Sequence, residues 1–374
     1  MKNLLVGNGF NIQFDRKHYT NSEIIYRILK NCEAENFPKD VIIDEPYLIK
    51  CYIGLLYKEV QAIINGDYDK YTTCTAERKS LEVFKKRYLS CENLIIMDIG
   101  FEDYYLIHDM LCHKQKIYNP EQFNIREALK LSYLHAIYNG GKVNELYISY
   151  PTGLIEYLKE FHDIYTTNYD LNIDSVVDIE VTHLHGQFNK LAEVYNPDSF
   201  RNQLIDRPID NININDNYMY LYSNALSTHC GEYKEHQIRQ ASLANEATEK
   251  IANLYKESSE IKREIDKWTF DDNKLVANLG SAIKLKVANP SLKYEEYYSF
   301  DKFSNIQGCL EIIGLSPWND THIFETLDNS NLEKCTYYYH SEDQIDAVRS
   351  NLKNMDKEGK LTFVQDEEFW SKVS

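Results

Sequence analysis

The opening segment MKNLLVGNGFNIQFD (residues 1–15) carries the pattern that decides the fold. Residues 4–6 (Leu-Leu-Val) predict a short buried strand, and residues 7–9 (Gly-Asn-Gly) predict a sharp turn directly after it. A glycine turn at a strand end presents backbone N–H groups to a phosphate in dinucleotide-binding folds, but it also makes an ordinary tight turn. The third glycine of the G-x-G-x-x-G pattern is absent, because Ile12 stands there. Other parts of the sequence have to distinguish the two interpretations.

Further strand-like runs follow, and helical patterns separate several of them. The runs are DIYTTNYD near residue 163, IEVTHLHG near 179, CLEIIGLS near 309, CTYYYHSE near 335 and KLTFVQDE near 360. Strands that alternate with helices favour a parallel sheet with helices on both faces. We therefore predict an α/β fold, built on a Rossmann-like parallel sheet with large, mainly helical insertions.

Two long segments interrupt this alternation and are predicted insertions into one discontinuous domain. Residues 21–140 carry apolar residues at helical spacing, which predicts a helical insertion. Residues 195–304 include an irregular polar loop, RPIDNININDNY, and then one long helix from about Tyr233 to Trp268. The near-heptad apolar spacing of that helix fits a helical hairpin, an oligomer contact or a helix lying along its own core. The predicted Rossmann-like core is then residues 1–20, 141–194 and 305–374.

The composition argues against several classes of function. The chain has 374 residues and a formal net charge of -17, so we expect no basic surface for nucleic acid or for an anionic membrane. Its eight cysteines form no C-x-x-C pair, and free thiols in a reducing cytoplasm are the simplest account of them. His108 and Cys112 could share a helix face, but no second cluster accompanies them and no metal is predicted. Neither a signal peptide nor a membrane-spanning run is recognised, which predicts a cytoplasmic protein.

Three polar segments at predicted strand ends carry the candidate chemistry. The first is TTNYD at residues 166–170, directly after a strand-like run. Polar side chains at the carboxyl end of a parallel strand face the crevice where α/β proteins bind ligands. An Asx-type turn, in which Asn168 and Asp170 bond their own backbone, is the alternative.

The second segment is THLHG at residues 182–186, which closes another predicted strand. His183 and His185 lie two residues apart, so both side chains point to the same side of an extended strand. Such a pair either binds a metal or divides the roles of general base and structural support. A histidine satisfied within the core is the alternative for each residue.

The third segment is IIGLSPWND at residues 312–320, where a strand ends at Gly314 and Ser316, Asn319 and Asp320 follow. A glycine-bearing strand end of this kind suits a ribose or a phosphate. A Ser-Pro turn followed by a helix is the alternative. Together with the opening glycine turn, the three segments predict one crevice at the carboxyl edge of the sheet.

The order of these motifs, GNG, TTNYD, HLHG and GLSP, resembles the sirtuin (SIR2) fold, in the SIR2-like branch of bacterial anti-phage defence systems. The resemblance covers residues 3–14, 163–189 and 309–325. It implies an NAD+ hydrolase that cleaves the nicotinamide–ribose bond to give nicotinamide and ADP-ribose, and so depletes NAD+ in abortive infection. The sirtuin zinc ribbon is absent, and with it part of the peptide groove, which favours water as the second substrate.

The resemblance also implies roles for individual residues. Asn168 would position the nicotinamide ribose or the attacking water, Asp170 would support that geometry, and His185 would be the general base. His183 is expected to support its neighbour. The residues expected to bind NAD+ are Gly7, Asn8, Gly9, Phe10, Asn11, Thr167, Gly314 and Ser316. Asn11 departs from the G-N-G-F-D pattern of related defence proteins, which carry an acid at that position.

Two other functions and the partners stay open at this stage. A sirtuin-like deacylase or ADP-ribosyltransferase would use the same His185 but needs a peptide groove. A non-catalytic nucleotide-sensing module would keep the glycine turns without turnover. NAD+ is the expected substrate, and neither nucleic acid nor a membrane is an expected partner. The 30 tyrosines suit interfaces, so we expect a homo-oligomer, and a HerA-type ATPase is a candidate partner by analogy with related effectors.

Overall fold

A parallel sheet of six strands forms the centre of the protein. The computed structural model describes residues 1–196, 199–200, 214–229, 231–294 and 298–374. The strands are β1 (Lys2–Val6), β2 (Asp163–Thr166), β3 (Val181–His183), β4 (Gln307–Ile313), β5 (Asn331–Tyr339) and β6 (Leu361–Gln365). Each of the predicted strand-like runs contributes one of them. The prediction of an α/β fold with a Rossmann-like parallel sheet and helical insertions is confirmed.

The strand order creates a switch point between β1 and β4. The order is β3-β2-β1-β4-β5-β6, so the chain first builds outward from β1 through β2 to β3 and then returns to build the other half. Leu5 of β1 is in register with Tyr165 of β2 and with Ile312 of β4. Ligands of doubly wound folds bind in the crevice at such a point, outside the carboxyl ends of the strands. The predicted polar segments lie along this edge.

Helices cover both faces of the sheet and form most of the two insertions. Those before β2 are α1 (Asn8–Phe14), α2 (Arg16–Tyr19), α3 (Asn21–Asn31), α4 (Tyr47–Ile64), α5 (Thr75–Tyr88), α6 (Asp103–Gln115), α7 (Glu121–Tyr138) and α8 (Thr152–Leu158). Those between β3 and β4 are α9 (Glu232–Glu257), α10 (Ser259–Trp268), α11 (Lys274–Ala288) and α12 (Phe300–Ser304). Those after β4 are α13 (Thr321–Asp328), α14 (Asp343–Asn351), α15 (Lys353–Lys357) and α16 (Asp366–Val373).

Three hydrophobic clusters hold these layers together. Leu4 and Val6 face one side of the sheet and pack with α8 and α16, whereas Leu5 faces the other side and packs with α12, α13 and α14. The third cluster runs from Ile24 to Ala136, so the first insertion has an apolar core of its own. Burial of this apolar surface is the main favourable contribution to folding. Among the described residues, no helix combines the length and the apolar character needed to cross a lipid bilayer.

The single long helix predicted from Tyr233 to Trp268 is two helices in the structure. Ser258 separates α9 from α10 with an extended backbone, and its hydroxyl accepts a hydrogen bond from the N–H of Ile261 at 3.4 Å. A serine that caps a new helix in this way interrupts the preceding one. The two helices and α11 pack on one another. Most of the predicted irregular loop at residues 207–218 lies outside the described residues.

Candidate functional site

The glycine turn after β1 packs directly on the end of β4. The N–H groups of Gly7 and Gly9 donate to the carbonyl oxygens of Ile313 and Gly314, at 2.9 and 2.8 Å. A Cβ atom on Gly7 would lie 2.5 Å from the Gly314 oxygen. Gly314 itself has a φ of +69°, and a Cβ atom there would lie 2.2 Å from the nitrogen of Phe10. The turn therefore joins the two strands at the switch point, and two of its amides bond to β4 in this structure.

Of the residues predicted to bind NAD+, some are accessible at the carboxyl edge of the sheet and others are buried. The exposed or half-buried ones are Asn8, Gly9, Thr167, Gly314 and Ser316. Phe10 is fully buried, and its ring contacts the rings of Tyr150 and Trp370 in the core. The carboxyl edge of the sheet thus has a polar rim, made of these accessible residues after the strands, and Phe10 belongs to the aromatic core behind it.

Asn11 and Asp170 form a buried pair beneath the glycine turn. Asn11 Nδ2 donates to Asp170 Oδ2 at 2.7 Å, and Asn172 donates to Asp170 Oδ1 through its side chain at 2.6 Å and its backbone N–H at 3.2 Å. Burial raises the pKa of Asp170, while these three donors favour its carboxylate form. The amide of Asn11 supplies a donor that an ionised aspartate at this position would lack.

Asn168 is held at the end of β2 by contacts to β1 and β3. Its N–H donates to Thr166 Oγ1 at 3.1 Å, and its side-chain amide donates to the carbonyl oxygen of Gly7 at 3.4 Å. His183 Nδ1 lies 2.9 Å from the carbonyl oxygen of Asn168, and its Nε2 lies 3.1 Å from Asp174 Oδ2. His183 therefore fixes the backbone of the TTNYD segment, and Asn168 links that segment to the glycine turn.

His185 lies just beyond β3 among buried polar side chains. Its Nε2 is 3.2 Å from Nε2 of His322 and 3.8 Å from Oδ1 of Asp320. Burial, and after it the positive charge of Lys234, hold the pKa of His185 well below its ordinary value. Burial likewise lowers the pKa of His322 to about 3. Both rings are therefore neutral at pH 7, and His185 is in the form that accepts a proton.

Lys234 of α9 connects this histidine pair to both insertions. Its Nζ donates to Glu102 Oε1 at 2.6 Å and lies 3.7 Å from Asp320 Oδ1. Burial lowers the pKa of Lys234, but the carboxylates of Glu102 and Asp320 outweigh this effect and hold it above its ordinary value. Lys234 therefore stays an ammonium ion. We call these five residues, Glu102, His185, Lys234, Asp320 and His322, the polar cluster.

The segment 223–228 covers the turn that carries His185. The Leu226 N–H donates to the carbonyl oxygen of His185 at 2.8 Å, and the Tyr169 hydroxyl donates to the carbonyl oxygen of Leu226 at 2.5 Å. Beneath this segment His185 is only 2% exposed, and Asn168 at the end of β2 is 8% exposed. A ligand that reaches these two side chains therefore requires a rearrangement of what covers them.

A cavity of about 710 Å³ adjoins the same segment. Residues 223–228 form part of its wall, and α7 contributes Arg126 and Lys130 to it. The lining described for this cavity does not include the glycine turn, Asn168 or His185. This cavity and His185 are therefore neighbours on either side of the segment 223–228.

The structure adds functional candidates that the sequence analysis missed. Lys234 and Glu102 lie in the insertions and carried no recognisable motif. His322 follows Asp320 by two residues, and this Asp-x-His spacing after a glycine-bearing strand end was the available signal. No family model, curated protein or solved structure matches this chain. A function therefore has to be argued from the chemistry of the site.

Proposed function

We propose that the protein hydrolyses NAD+ at the nicotinamide–ribose bond and releases nicotinamide and ADP-ribose. One observation carries the proposal: at the switch point of a Rossmann-like sheet, the Asn168 amide is bonded to the Gly7 carbonyl, and a neutral His185 lies at the end of the next strand. These are the residues to which the resemblance to SIR2-like proteins assigns catalysis. The crevice at such a switch point is where doubly wound folds bind dinucleotides.

The reaction requires mainly positioning from the protein. Nicotinamide leaves as a neutral group, so the site has to hold the ribose, exclude bulk solvent and orient one water molecule. The Asn168 side chain both donates and accepts hydrogen bonds, which suits the ribose hydroxyls or the attacking water. Nε2 of His185 accepts the proton of that water while its oxygen forms the new bond to the ribose carbon, and the proton then passes to solvent.

The enclosure of the catalytic residues fits an activity that is kept low until a trigger arrives. In this proposal the chain is the NAD+-depleting effector of an anti-phage system in the cytoplasm. Assembly into a homo-oligomer, or with a HerA-type ATPase, would move the segment 223–228 and open the path to His185. The contacts of Leu226 and Tyr169 are the ones that such an opening breaks.

A non-catalytic NAD+-sensing module is the second candidate. The observation in its favour is the same enclosure, because His185 and Asn168 are 2% and 8% exposed while the rim residues Asn8 and Ser316 remain accessible. A nucleotide could contact that rim without reaching the buried side chains. Turnover separates the two candidates.

The experiment measures NAD+ consumption by the purified chain, with nicotinamide and ADP-ribose quantified. His185→Ala and Asn168→Ala are compared with His340→Ala, which removes an exposed histidine far along the sequence. Each reaction is repeated with the candidate ATPase partner. We expect turnover in the wild type and the control and none in the two site variants. Binding of NAD+ without turnover would favour the sensor, and turnover that survives His185→Ala would contradict the assigned base.

A further inference from the structure

We propose that His185, Asp320 and His322 bind one divalent transition-metal ion, with Zn²⁺ as the representative case. His185 follows β3, and the other two residues lie at the start of α13. The site itself is argued from geometry alone. Its consequence for activity rests on the proposed NAD+ hydrolysis, because both use the same nitrogen of His185.

The distances between the three ligand atoms fit a single ion. Nε2 of His185 lies 3.2 Å from Nε2 of His322 and 3.8 Å from Oδ1 of Asp320, and all three ligand atoms lie within 4.8 Å of one another. A tetrahedral Zn²⁺ bound at about 2.0 to 2.1 Å places neighbouring ligand atoms about 3.3 Å apart. The two imidazoles already have this spacing, whereas the carboxylate oxygen lies 3.8 Å from His185 Nε2 and within 4.8 Å of the whole set, so the Asp320 side chain has to turn toward the two histidines to complete it.

Two atoms of the set are buried without a hydrogen-bond partner among the described residues. They are Oδ1 of Asp320 and Nδ1 of His322. A hydrogen bond between the two Nε2 atoms accounts for the histidine pair, but it leaves the Asp320 oxygen without a donor, and such a buried acceptor is costly. An ion between the three side chains satisfies that oxygen and binds the Nε2 lone pair of each histidine, and Nδ1 of His322 then carries the proton of its ring.

The charge of the surroundings is compatible with a dication. Glu102 and Asp320 contribute two carboxyl groups and Lys234 one ammonium group, so acidic groups outnumber the permanently charged basic group in the polar cluster. Nζ of Lys234 donates to Glu102 at 2.6 Å but lies 3.7 Å from Asp320 Oδ1, beyond hydrogen-bond distance. The Asp320 oxygen therefore keeps a lone pair for a metal.

The donor set selects the class of metal. Two imidazole nitrogens and one carboxylate oxygen suit Zn²⁺, Fe²⁺ or Mn²⁺, whereas Mg²⁺ and Ca²⁺ prefer sites made of oxygen ligands. An ion on Nε2 of His185 occupies the lone pair that proton acceptance requires. Metal binding and NAD+ hydrolysis then exclude each other, so the metal inhibits the enzyme and its removal activates it.

The first test measures metal binding without reference to activity. Wild type, His322→Gln, Asp320→Asn and the control His340→Gln are dialysed against Co²⁺ or Zn²⁺, and the bound metal is determined by elemental analysis. His340 is an exposed histidine with its Nδ1 3.0 Å from Asp366 Oδ2, so it controls for adventitious binding to a histidine–carboxylate pair.

We expect wild type and His340→Gln to bind one equivalent more than either site variant. Bound Co²⁺ should show visible ligand-field bands without a thiolate charge-transfer band, since no cysteine belongs to the set. The metal should raise the Tm of the wild type and leave that of each folded site variant unchanged. Equal metal content in all four proteins, or equal shifts of Tm, would overturn the site.

The second test adds NAD+ turnover with and without a chelator, and it separates the two proposals. We expect one equivalent of Zn²⁺ to inhibit the wild type and EDTA to reverse the inhibition. Binding of one equivalent at the cluster, with no turnover even after the chelator has removed the metal and the candidate ATPase partner is present, supports the metal site and contradicts the proposed hydrolase. Turnover without metal binding contradicts the site and leaves the hydrolase standing. Turnover that increases with metal would overturn the inhibitory role.

Discussion

Replacing Asn11 with aspartate places two carboxyl groups in contact beneath the glycine turn. In the native protein Asn11 Nδ2 donates to Asp170 Oδ2 at 2.7 Å, and the two residues are 1% and 6% exposed. Aspartate has nearly the shape of asparagine, so the substitution keeps the packing and replaces a donor by an acceptor. Two buried carboxylates at this distance do not both stay ionised, so the folded variant keeps one proton that they share.

The magnitude follows from proton linkage. Unfolded aspartates release their protons near pH 3.9, whereas the folded pair keeps one proton to higher pH. The folded variant then binds one proton more than its unfolded chain, and its free energy of unfolding falls by about 1.4 kcal/mol for each unit of rising pH. Burial also raises the pKa of native Asp170, which has the same sign of effect. Above the pH at which Asp170 of the wild type has released its proton, only the variant continues to lose stability as the pH rises. Two pH units beyond that point lower its free energy of unfolding by about 2.7 kcal/mol relative to the wild type.

Urea denaturation between pH 5 and pH 8 measures this slope. Asn36→Asp is the matched control, because it makes the same change at an exposed turn position, and we expect its pH dependence to match that of the wild type. The double variant Asn11→Asp/Asp170→Asn restores an amide opposite a carboxylate and should remove the additional slope. An Asn11→Asp protein whose stability follows the wild-type pH dependence up to pH 8 would refute the buried pair.

Three further predictions concern the switch point, the polar cluster and the proposed reaction. Gly314→Ala should lower the free energy of unfolding by about 3 kcal/mol or more, because its φ is +69° and its Cβ would overlap a backbone nitrogen at 2.2 Å. Gly359→Ala, with a φ of +68° and open space around its Cβ, should cost only about 1 to 2 kcal/mol in the same urea assay. Lys234→Met removes the ammonium group from a pair of buried carboxyl groups and should lower the free energy of unfolding by about 3 to 5 kcal/mol at pH 7. The loss should be smaller at pH 5, where the carboxylates take up protons, and Lys267→Met, at an exposed position, should have little effect. In the NAD+ assay, kcat/KM should stay level from pH 8 to pH 6, because burial holds the pKa of His185 well below its ordinary value, and a decline centred near pH 6.5 would contradict the neutral base.

The strands were predictable because their causes are local. Each is a short apolar run that ends in glycine, asparagine or another polar turn residue, and the run itself specifies both the strand and its boundary. The alternation of strands and helices predicted that the glycine turn lies at the carboxyl edge of the sheet, whereas its place at the switch point depends on the strand order, which was not predicted. The reason why residue 7 has to be glycine was not predictable from the sequence, since it depends on the close approach of Gly314, which follows a strand much later in the chain.

The polar cluster was not predictable for the opposite reason. Glu102 and Lys234 lie in the two insertions, and only the packing of both insertions on the edge of the sheet brings them close to His185 and Asp320. His322 lies on the buried face of α13, where its spacing is that of any core residue. The break at Ser258 was missed because a capping serine and a helical surface serine look alike within a polar pattern. The NAD+ chemistry, the oligomer and the ATPase partner stay predictions.

The ion pairs of Lys234 bear on whether the sheet could work as a module by itself. Deletion of the second insertion removes this ammonium, and deletion of the first removes Glu102, the carboxylate to which it donates. Deletion of the second insertion leaves Asp320 without its ammonium group, next to His185, whereas deletion of the first leaves Lys234 paired with Asp320 alone. A protein that lacks the second insertion therefore has to carry a compensating change at position 320, and in related chains the length of that insertion and the residue at that position should vary together.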